Sequence, residues 1–239
     1  MSSMYDDEEG QEGVIRRRFV LCDSLQQIPP DGLIRTCGNC CQFFVLCCSC
    51  RHKYGIGGHE DDVTVCHHFR LIFTDGACRN NGQPGATAGI GVAMGTGWQY
   101  AVPITANMDR GQRRTSSRAE LLAALSGLRL MVAADQLQQL KQLETSGPPT
   151  EERQSWVIAT DSEYVVKGMT EWLPAWKNNK MRNGRNVKPA NLDLFLQLDA
   201  ALANEEMKGA KIGFWHVPRE YNSMADTLAK QAAQLGDPE

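Results

Sequence analysis

The sequence predicts an α/β protein with one mixed sheet of five strands and helices packed against it. After residue 70, three short segments in succession alternate apolar residues with polar residues or glycine, as antiparallel strands do. A long segment with apolar residues at helical spacing follows, and strand-like and helix-like segments then alternate. This order is typical of a sheet with helices packed on it.

The first three strands are predicted to form an antiparallel meander. The segment LIFTDG begins at Leu71, and GIGVAMG and WQYAVPI follow, with a short turn near Gly95 to Gly97 between the last two. Asp75 is predicted to lie at the end of the first strand, where Gly76 favours a turn.

The next segments predict four helical regions and two more strands. TSSRAELLAALSGLRLMVAADQLQQLKQLE has leucines at helical spacing and predicts a long helix, and TSGPPTEER after it predicts an exposed loop. SWVIATDSE predicts a strand that ends in Thr160-Asp161. Helical segments follow in YVVKGMTEWLPAW and LDLFLQLDAALANEE, then a strand in AKIGFWHV and a last helix in NSMADTLAKQAAQL.

Length and cysteine content divide the chain into three predicted parts. A chain of 239 residues suits one domain of roughly 100 to 200 residues with an appendage. Eight of the nine cysteines lie before residue 70. We therefore predict a flexible tail over residues 1–35, a small Cys/His-rich module over residues 36–69 and the α/β domain over residues 70–239.

Composition narrows the class of protein. No apolar run approaches the ~18 residues that a membrane span needs, and the acidic start MSSMYDDEEG predicts no secretory or mitochondrial leader. We expect a monomer in the nucleus or cytoplasm, with no membrane partner. The net charge of −3 does not indicate a nucleic-acid partner, but six basic residues lie between Lys167 and Lys188, beside Trp172 and Trp176. The two tryptophans are also four residues apart, which is helix-core spacing.

The cysteine spacing predicts a zinc site. Cys37 and Cys40 form one CxxC pair, and Cys47 and Cys50 form a second, so four thiolates are available for one tetrahedral Zn²⁺. Further candidate ligands are His52, His59, Cys66, His67 and His68. The alternative is an apolar hairpin around QFFVL whose thiols bind no metal.

Four carboxylates stand at positions where each has an ordinary explanation. Asp75 and Asp161 follow strands, whereas Glu120 and Asp226 lie near helix starts, where the helix dipole favours an acid by about 0.3 to 1 kcal/mol. If all four converge, their repulsion in a partly buried site requires a divalent cation. Oxygen ligands favour Mg²⁺ or Mn²⁺, and two ions about 3.5 to 4 Å apart suit attack on a phosphodiester.

Five motifs carry a resemblance to a known family. TDGACRNNG, TSSRAEL, TDSEYV with WLPAWK downstream, ANLDLFLQLDAAL and NSMADTLA follow in this order between about Leu71 and Leu235. Together they resemble the signature of type 1 ribonuclease H. The resemblance implies a ribonuclease H-like fold and two Mg²⁺ ions, with Mn²⁺ as a substitute. It also implies hydrolysis of the RNA strand of an RNA–DNA hybrid, leaving 5′-phosphate and 3′-hydroxyl ends. It does not cover residues 1–70.

The resemblance also implies roles for individual residues. The residues that match the family's metal-binding catalytic acids are Asp75, Glu120, Asp161 and Asp226, with Asp75 bridging the two ions. Those that match its RNA-strand contacts are Asn81, Ser116, Ser117 and Glu163. Those that match its DNA-phosphate contacts are Arg113, Thr115 and Asn191, and those beside the DNA sugars are Tyr164, Trp172 and Trp176.

The sequence departs from the family before the last acid. Many relatives have a glycine-rich loop with a histidine there, whereas WHVPREYNSMAD runs directly from strand to helix. His216 belongs to the strand, so Arg219 or Glu220 is predicted to take over that role. Two alternatives to a hybrid nuclease stay open. One is a catalytically silent hybrid-binding or zinc-mediated interaction protein, and the other is a nuclease domain derived from a reverse transcriptase.

Overall fold

The computed structural model describes residues 13–48, 65–145 and 155–237. Its strands are β1 (Gly13–Ile15), β2 (Arg18–Val20), β3 (Ile34–Thr36), β4 (Phe43–Val45), β5 (Phe69–Arg79), β6 (Thr87–Gly95), β7 (Trp98–Pro103), β8 (Ser155–Thr160) and β9 (Lys211–His216). Its helices are α1 (Asp23–Gln26), α2 (Pro30–Leu33), α3 (Ser116–Thr145), α4 (Glu163–Lys167), α5 (Leu173–Asn178), α6 (Leu192–Met207) and α7 (Ser223–Gln234). A π-helical turn (Gly168–Trp172) joins α4 to α5, and a 3₁₀ turn (Arg219–Asn222) precedes α7. Within these ranges, no helix has both the length and the apolar character that crossing a bilayer requires.

Strands β5 to β9 confirm the predicted five-stranded mixed sheet. β5, β6 and β7 form the antiparallel meander. β8 lies parallel to β5, and β9 lies parallel to β8, with helices between them in sequence. The long helix that the leucine spacing predicts is α3. The predicted loop TSGPPTEER falls almost entirely in residues 146–154, outside the described residues.

β5 is longer than the sequence indicates. The prediction that it ends at Asp75 is wrong, because the antiparallel ladder with β6 continues to Arg79. The parallel ladder with β8 does end earlier, at the pair Phe73–Ala159. Asp75 therefore lies just beyond the parallel pairing, and Asp161 directly follows β8. Both carboxylates occupy the carboxyl edge of the β5–β8 pair, where sites in α/β sheets gather.

The N-terminal segment extends the sheet on both sides. The β1–β2 hairpin pairs with β9 through Arg18 and Phe214, and the β3–β4 hairpin pairs with residues 69–71 of β5. The division into tail, module and α/β domain stays a prediction. Residues 13–36, placed in or next to the tail by the sequence, nevertheless supply three strands of the same sheet.

The sheet is buried on both faces. In β5 and β8, Ile72 and Ile158 belong to a core shared with α3 and α6, whereas Leu71 and Val157 belong to a second core. Leu25 and other residues of the N-terminal segment fill much of that second core. Each large aliphatic side chain that is fully buried contributes roughly 1.5 to 3 kcal/mol. The N-terminal segment therefore covers a face that would otherwise expose apolar strand residues.

An ion-pair cluster fastens the β1–β2 hairpin to α6. Arg17 donates to both carboxylate oxygens of Glu206 at 2.7 and 2.8 Å, and to Asp199 at 2.7 Å. Lys177 also reaches Asp199, at 2.7 Å. Paired geometry of this kind is stronger than an ordinary surface ion pair. Arg17, which the sequence places in the predicted flexible tail, is therefore part of the packed structure.

Gly76 allows α3 to approach β5 closely. A Cβ atom at this position would overlap the backbone of Ala119 and Glu120. Gly89 and Gly91 of β6 do the same for α7, where a Cβ atom would overlap the backbone of Ala233 and Ala225 respectively. Gly76 and Gly91 thus let the starts of α3 and α7 pack against the strands beside Asp75, and Gly89 does the same for the end of α7.

Substitution Gly76→Ala should therefore destabilise the protein by about 3 kcal/mol or more, because backbone atoms cannot move aside as a flexible side chain can. For a chain of this size the melting temperature should fall by at least about 6 °C, measured by thermal unfolding. The matched control is Gly184→Ala, since no atom lies within 4 Å of a Cβ built at Gly184. Equal melting temperatures for the two variants would contradict the close approach.

Candidate active site

An open cleft of about 560 Å³ lies at the carboxyl edge of the sheet, between the starts of α3 and α7. Its polar lining residues are Asp75, Arg79, Ser116, Glu120, Arg219, Asp226, Lys230 and Gln234. Three of the four predicted acids thus share one cavity. Asp161 does not line the cavity, but Arg219, which does, lies 3.8 Å from its carboxylate.

Asp75 and Glu120 form the buried part of the site. Asp75 is only 6% exposed, and burial raises its pKa to about 7, with the charges of Asp161 and Asp226 adding to the rise. Burial likewise raises the pKa of Glu120 to about 9, and Asp75 and Asp161 add to it. Oε2 of Glu120 is buried and has no hydrogen-bond partner among the described residues. Two acids here are therefore costly to ionise without a cation.

Asn222 holds Asp161 in place. Its side-chain amide donates to Oδ1 of Asp161 at 2.6 Å and to the backbone carbonyl of Thr74 at 3.1 Å. Asn222 is 0% exposed. Sequence reasoning missed this residue, since an Asn just before a helix suggests an N-cap. Asn222 does occupy that position, but its side chain makes no capping bond.

Two cations contact Asp226. Arg219 donates to Oδ1 at 2.8 Å, and Lys230, one helical turn after Asp226, donates to Oδ2 at 2.6 Å. Arg219 also lies 3.8 Å from a carboxylate oxygen of Asp161. Lys230 was missed as well, although its i, i+4 spacing from Asp226 was a usable signal. Arg219 is one of the two residues predicted to replace the family's loop histidine, and it contacts Asp226 and Asp161.

The four acids form one site. Asp161 and Asp226 share the guanidinium of Arg219, and both raise the pKa of Asp75, which in turn raises that of Glu120. Every donor atom that the acids offer is an oxygen, and one of them is buried without a partner. This donor set fits a hard divalent cation, which supplies the missing positive charge.

A second cavity, of about 350 Å³, lies on the other side of the start of α3. The three predicted DNA-phosphate contacts Arg113, Thr115 and Asn191 all line it, together with Lys188. Arg113 donates to the backbone carbonyl of Gly82 at 2.5 Å, so the arginine is held beside the loop that carries Asn81. The structure thus brings Asn191 together with Arg113 and Thr115, which lie more than 70 residues earlier in the sequence.

A buried arginine supports this cavity. Arg118 makes two hydrogen bonds to Asp109, at 2.6 and 2.9 Å, and two to Asp193, at 2.8 and 3.1 Å. Hydrogen bonds to Asp109, and to a lesser extent to Asp193, raise the pKa of Arg118 above its usual value. Arg118 also reaches Asn191 at 3.4 Å. Sequence reasoning missed this network, because its acids come from two distant segments.

Comparison with known proteins identifies the family. The family model described as RNase H matches residues 68–234. The chain belongs to the ribonuclease H family. It is similar to "Ribonuclease H" of Bordetella avium, with 33% identity over 67% of this chain and 87% of the relative. It is also similar to "Ribonuclease H1" of Mus musculus, with 30% identity over 70% of this chain. The chain spans only about half of that mouse relative, 51%.

A solved structure shares the ribonuclease H fold. It is the foamy viral protease-reverse transcriptase in complex with RNA/DNA hybrid, which matches with a TM-score of 0.50 and 18% identity. The match covers 74% of this chain and 22% of that chain. At this identity the likeness shows the fold alone, and it confirms the predicted ribonuclease H-like architecture.

The residues that match the family's RNA-strand contacts come from three segments of the chain. Asn81 accepts a hydrogen bond from the backbone N–H of Ser116 at 3.0 Å, which fixes the β5–β6 loop to the start of α3. Ser116 lines the cleft, and Ser117 follows it on α3. Glu163, at the start of α4, is exposed and pairs with Lys167 at 2.7 Å. Their contact with RNA stays a prediction.

The aromatic residues that match the DNA-sugar contacts form one cluster. The rings of Tyr164 and Trp172 are 5.7 Å apart, and those of Trp172 and Trp176 are 6.3 Å apart. Trp176 also packs edge-on against the buried Phe195, so the helix-core interpretation holds in part. The hydroxyl of Tyr164 accepts from Asn191 at 3.1 Å, which joins this cluster to the second cavity.

His216 and Glu220 do not line the cleft. His216 ends β9, and its Nε2 lies 3.3 Å from the backbone carbonyl of Asp161. Of the two residues predicted to replace the family's loop histidine, only Arg219 contacts the acids within the described residues.

The predicted zinc ligands are grouped differently from the sequence expectation. Cys37 and Cys40 lie with His67, whereas Cys47 lies in a separate group. That second group consists of Cys47, Cys66 and His68. Three other candidates, Cys50, His52 and His59, fall outside the described residues, so the four-cysteine site as a whole stays a prediction.

Stability in Mg²⁺-free buffer should depend on pH because of Asp75 and Glu120. Because their pKa values are raised, the folded protein binds more protons than the unfolded chain. The difference extends from about pH 4 to about pH 7 for Asp75 and to about pH 9 for Glu120. The free energy of unfolding therefore decreases as the pH rises from about 5 to about 9. Glu120→Gln needs no proton uptake on folding and should therefore raise the melting temperature at pH 8.5 by at least about 2 °C.

The gain from Glu120→Gln should shrink at pH 5, where protonating the carboxyl on folding costs little, and in saturating Mg²⁺. Thermal unfolding at the two pH values measures it. Glu220→Gln, an exposed acid outside the cleft, is the control and should leave the melting temperature unchanged. A Glu120→Gln protein less stable than wild type at pH 8.5 would refute the electrostatic account of the cleft.

Proposed function

We propose that this chain is a metal-dependent endoribonuclease that hydrolyses the RNA strand of RNA–DNA hybrids. The products would carry 5′-phosphate and 3′-hydroxyl ends. The observation that carries the proposal is the convergence of Asp75, Glu120 and Asp226 in one cleft of a ribonuclease H fold, with Asp161 joined to them through Arg219. The names of the mouse and Bordetella relatives, Ribonuclease H1 and Ribonuclease H, support the same activity.

The cations proposed for this cleft are two Mg²⁺ ions, for which Mn²⁺ would substitute. The four acids would hold them, and the unpartnered Oε2 of Glu120 is an oxygen that such an ion satisfies. When bound, divalent cations supply charge neutralisation, activation of an attacking water and stabilisation of the leaving 3′-oxygen. Asp75, between the charges of Asp161 and Asp226, is the acid best placed to serve both ions.

The chain's own residues fix the geometry of the acids. Gly76 lets Glu120 approach β5, and Asn222 orients Asp161. Arg219 neutralises part of the charge on Asp226 and Asp161 before cations bind. Its side chain is 69% exposed, so it can turn toward a phosphate of the substrate. Arginine in that position is a donor to phosphate oxygens, whereas histidine in relatives would also exchange protons.

The start of α3 divides the two strands of the hybrid. Ser116 lines the acidic cleft, where the RNA strand would lie, and Thr115 lines the second cavity, where a phosphate of the DNA strand would bind. Hydroxyl and amide groups contact the nucleic-acid backbone without reading bases. Cleavage should therefore depend on the shape and 2′-hydroxyls of the hybrid rather than on sequence.

A silent binding protein is the competing function. Four acids gathered at one site disfavour it, because their charge repels phosphates unless cations are bound. The two functions differ in turnover, not in binding, so the test must measure both on the same substrate.

Asp161→Asn should abolish cleavage of a labelled RNA–DNA hybrid while leaving hybrid binding within about threefold of wild type. Asn keeps the shape of the side chain but lowers the negative charge available to a cation. A loss of about 4 kcal/mol of transition-state stabilisation would reduce kcat about 1000-fold. Wild-type protein in Mg²⁺-free buffer should show the same pattern of binding without cleavage.

Asp31→Asn serves as the control, because Asp31 is an exposed acid in α2, outside the lining of the cleft. It should cleave at the wild-type rate. Cleavage by Asp161→Asn at the wild-type rate would reject the site, and binding without any cleavage by the wild type in Mg²⁺ or Mn²⁺ would favour the silent protein.

A further inference from the structure

Six thiol and imidazole side chains lie together where the N-terminal segment meets β5, outside the acidic cleft. They form two groups, one of Cys37, Cys40 and His67 and one of Cys47, Cys66 and His68. Within each group the ligand atoms all lie within 4.8 Å of one another. Zinc–ligand bonds of 2.0 to 2.3 Å in a tetrahedron separate the ligand atoms by about 3.3 to 3.8 Å, so both groups are near the spacing that zinc needs.

We propose that these groups are two separate Zn²⁺ sites that fasten the β3–β4 hairpin to the start of β5. Each group supplies two thiolates and one imidazole, which are three of the four ligands of a tetrahedral Zn²⁺, and a water molecule would supply the fourth. The proposal is independent of the nuclease function. It also differs from the single four-thiolate site that the cysteine spacing predicts.

Three consecutive residues divide between the two groups. Cys66, His67 and His68 lead directly into β5, and in an extended chain successive side chains point to opposite sides. Cys66 and His68 accordingly belong to one group, and His67 belongs to the other. The His67 ring stacks on the buried Phe44 of β4, with ring centroids 4.1 Å apart and planes 3° apart. This packing keeps the His67 imidazole beside Cys37 and Cys40.

The second group already has contacts of the length that shared coordination produces. Sγ of Cys47 lies 3.2 Å from Nδ1 of His68 and 3.4 Å from Sγ of Cys66. Cys47 is 1% exposed and belongs to the second core. A disulfide between Cys47 and Cys66 would leave the imidazole without a role, whereas one Zn²⁺ uses all three groups.

The first group is built on a closed turn. The N–H of Cys41 donates to the carbonyl of Cys37 at 2.8 Å, and the N–H of Cys37 donates to the carbonyl of Gln42 at 3.0 Å. This turn brings the thiols of Cys37 and Cys40 to the same side. Cys41 itself, between the pair and β4, is exposed and belongs to neither group.

The location of the groups explains what zinc would do. β3 and β4 have three residues each, and β4 pairs with β5 through only three residues. A hairpin this short is marginal without further support. Both sites join the hairpin region to the residues just before β5, so each ion closes a long loop and offsets its entropy.

The test is the zinc content of the full-length protein, purified without added metal and measured by native mass spectrometry. Two Zn²⁺ per chain are expected for the wild type. Cys37→Ser and Cys47→Ser should each retain one, and the matched control Cys41→Ser should retain two. One Zn²⁺ or none in the wild type, or loss of both ions from either single variant, would overturn the proposal.

A second measurement does not depend on the folding of variants. A chelator that binds Zn²⁺ but not Mg²⁺ should lower the melting temperature of the wild-type protein, and added Zn²⁺ should restore it. An unchanged melting temperature after complete removal of Zn²⁺ would refute the fastening role.

Discussion

Repulsion among four neighbouring carboxylates at one partly buried site is the constraint on which this structure depends. Asp75 and Glu120 are raised in pKa to about 7 and about 9 because burial and neighbouring charges both oppose their ionisation. Arg219 and Lys230 offset only part of this charge, on the side of Asp226. The fold therefore stores an unfavourable interaction that divalent cations relieve, as functional sites often do.

The surrounding structure holds the acids together against this repulsion. Glycines in β5 and β6 let α3 and α7 pack directly on the strands, and the N-terminal segment covers the face of the sheet that would otherwise be exposed. On the other side of the start of α3, Arg118 links Asp109, Asp193 and Asn191 beneath the second cavity. Rigid support of this kind keeps catalytic groups in position and excludes alternative arrangements.

Much of the fold and the acid positions followed from the sequence, because strand alternation, helical spacing and ordered motifs are local signals. The end of β5 was misplaced, since Gly76 suggests a turn although it serves close packing. Strands β1 to β4 have three residues each, too few for a periodic signal. Asn222 and the two Cys/His groups depend on contacts between distant segments, which spacing along the chain does not reveal.

The most direct test of the central claim is the number of protons released when Mg²⁺ binds. Isothermal titration calorimetry at pH 8, in buffers with different heats of ionisation, measures that number. With the pKa of Glu120 near 9, Mg²⁺ should displace close to one proton per chain. Binding of Mg²⁺ with no proton release would contradict the account, because it would mean that the acids are already ionised and do not repel one another.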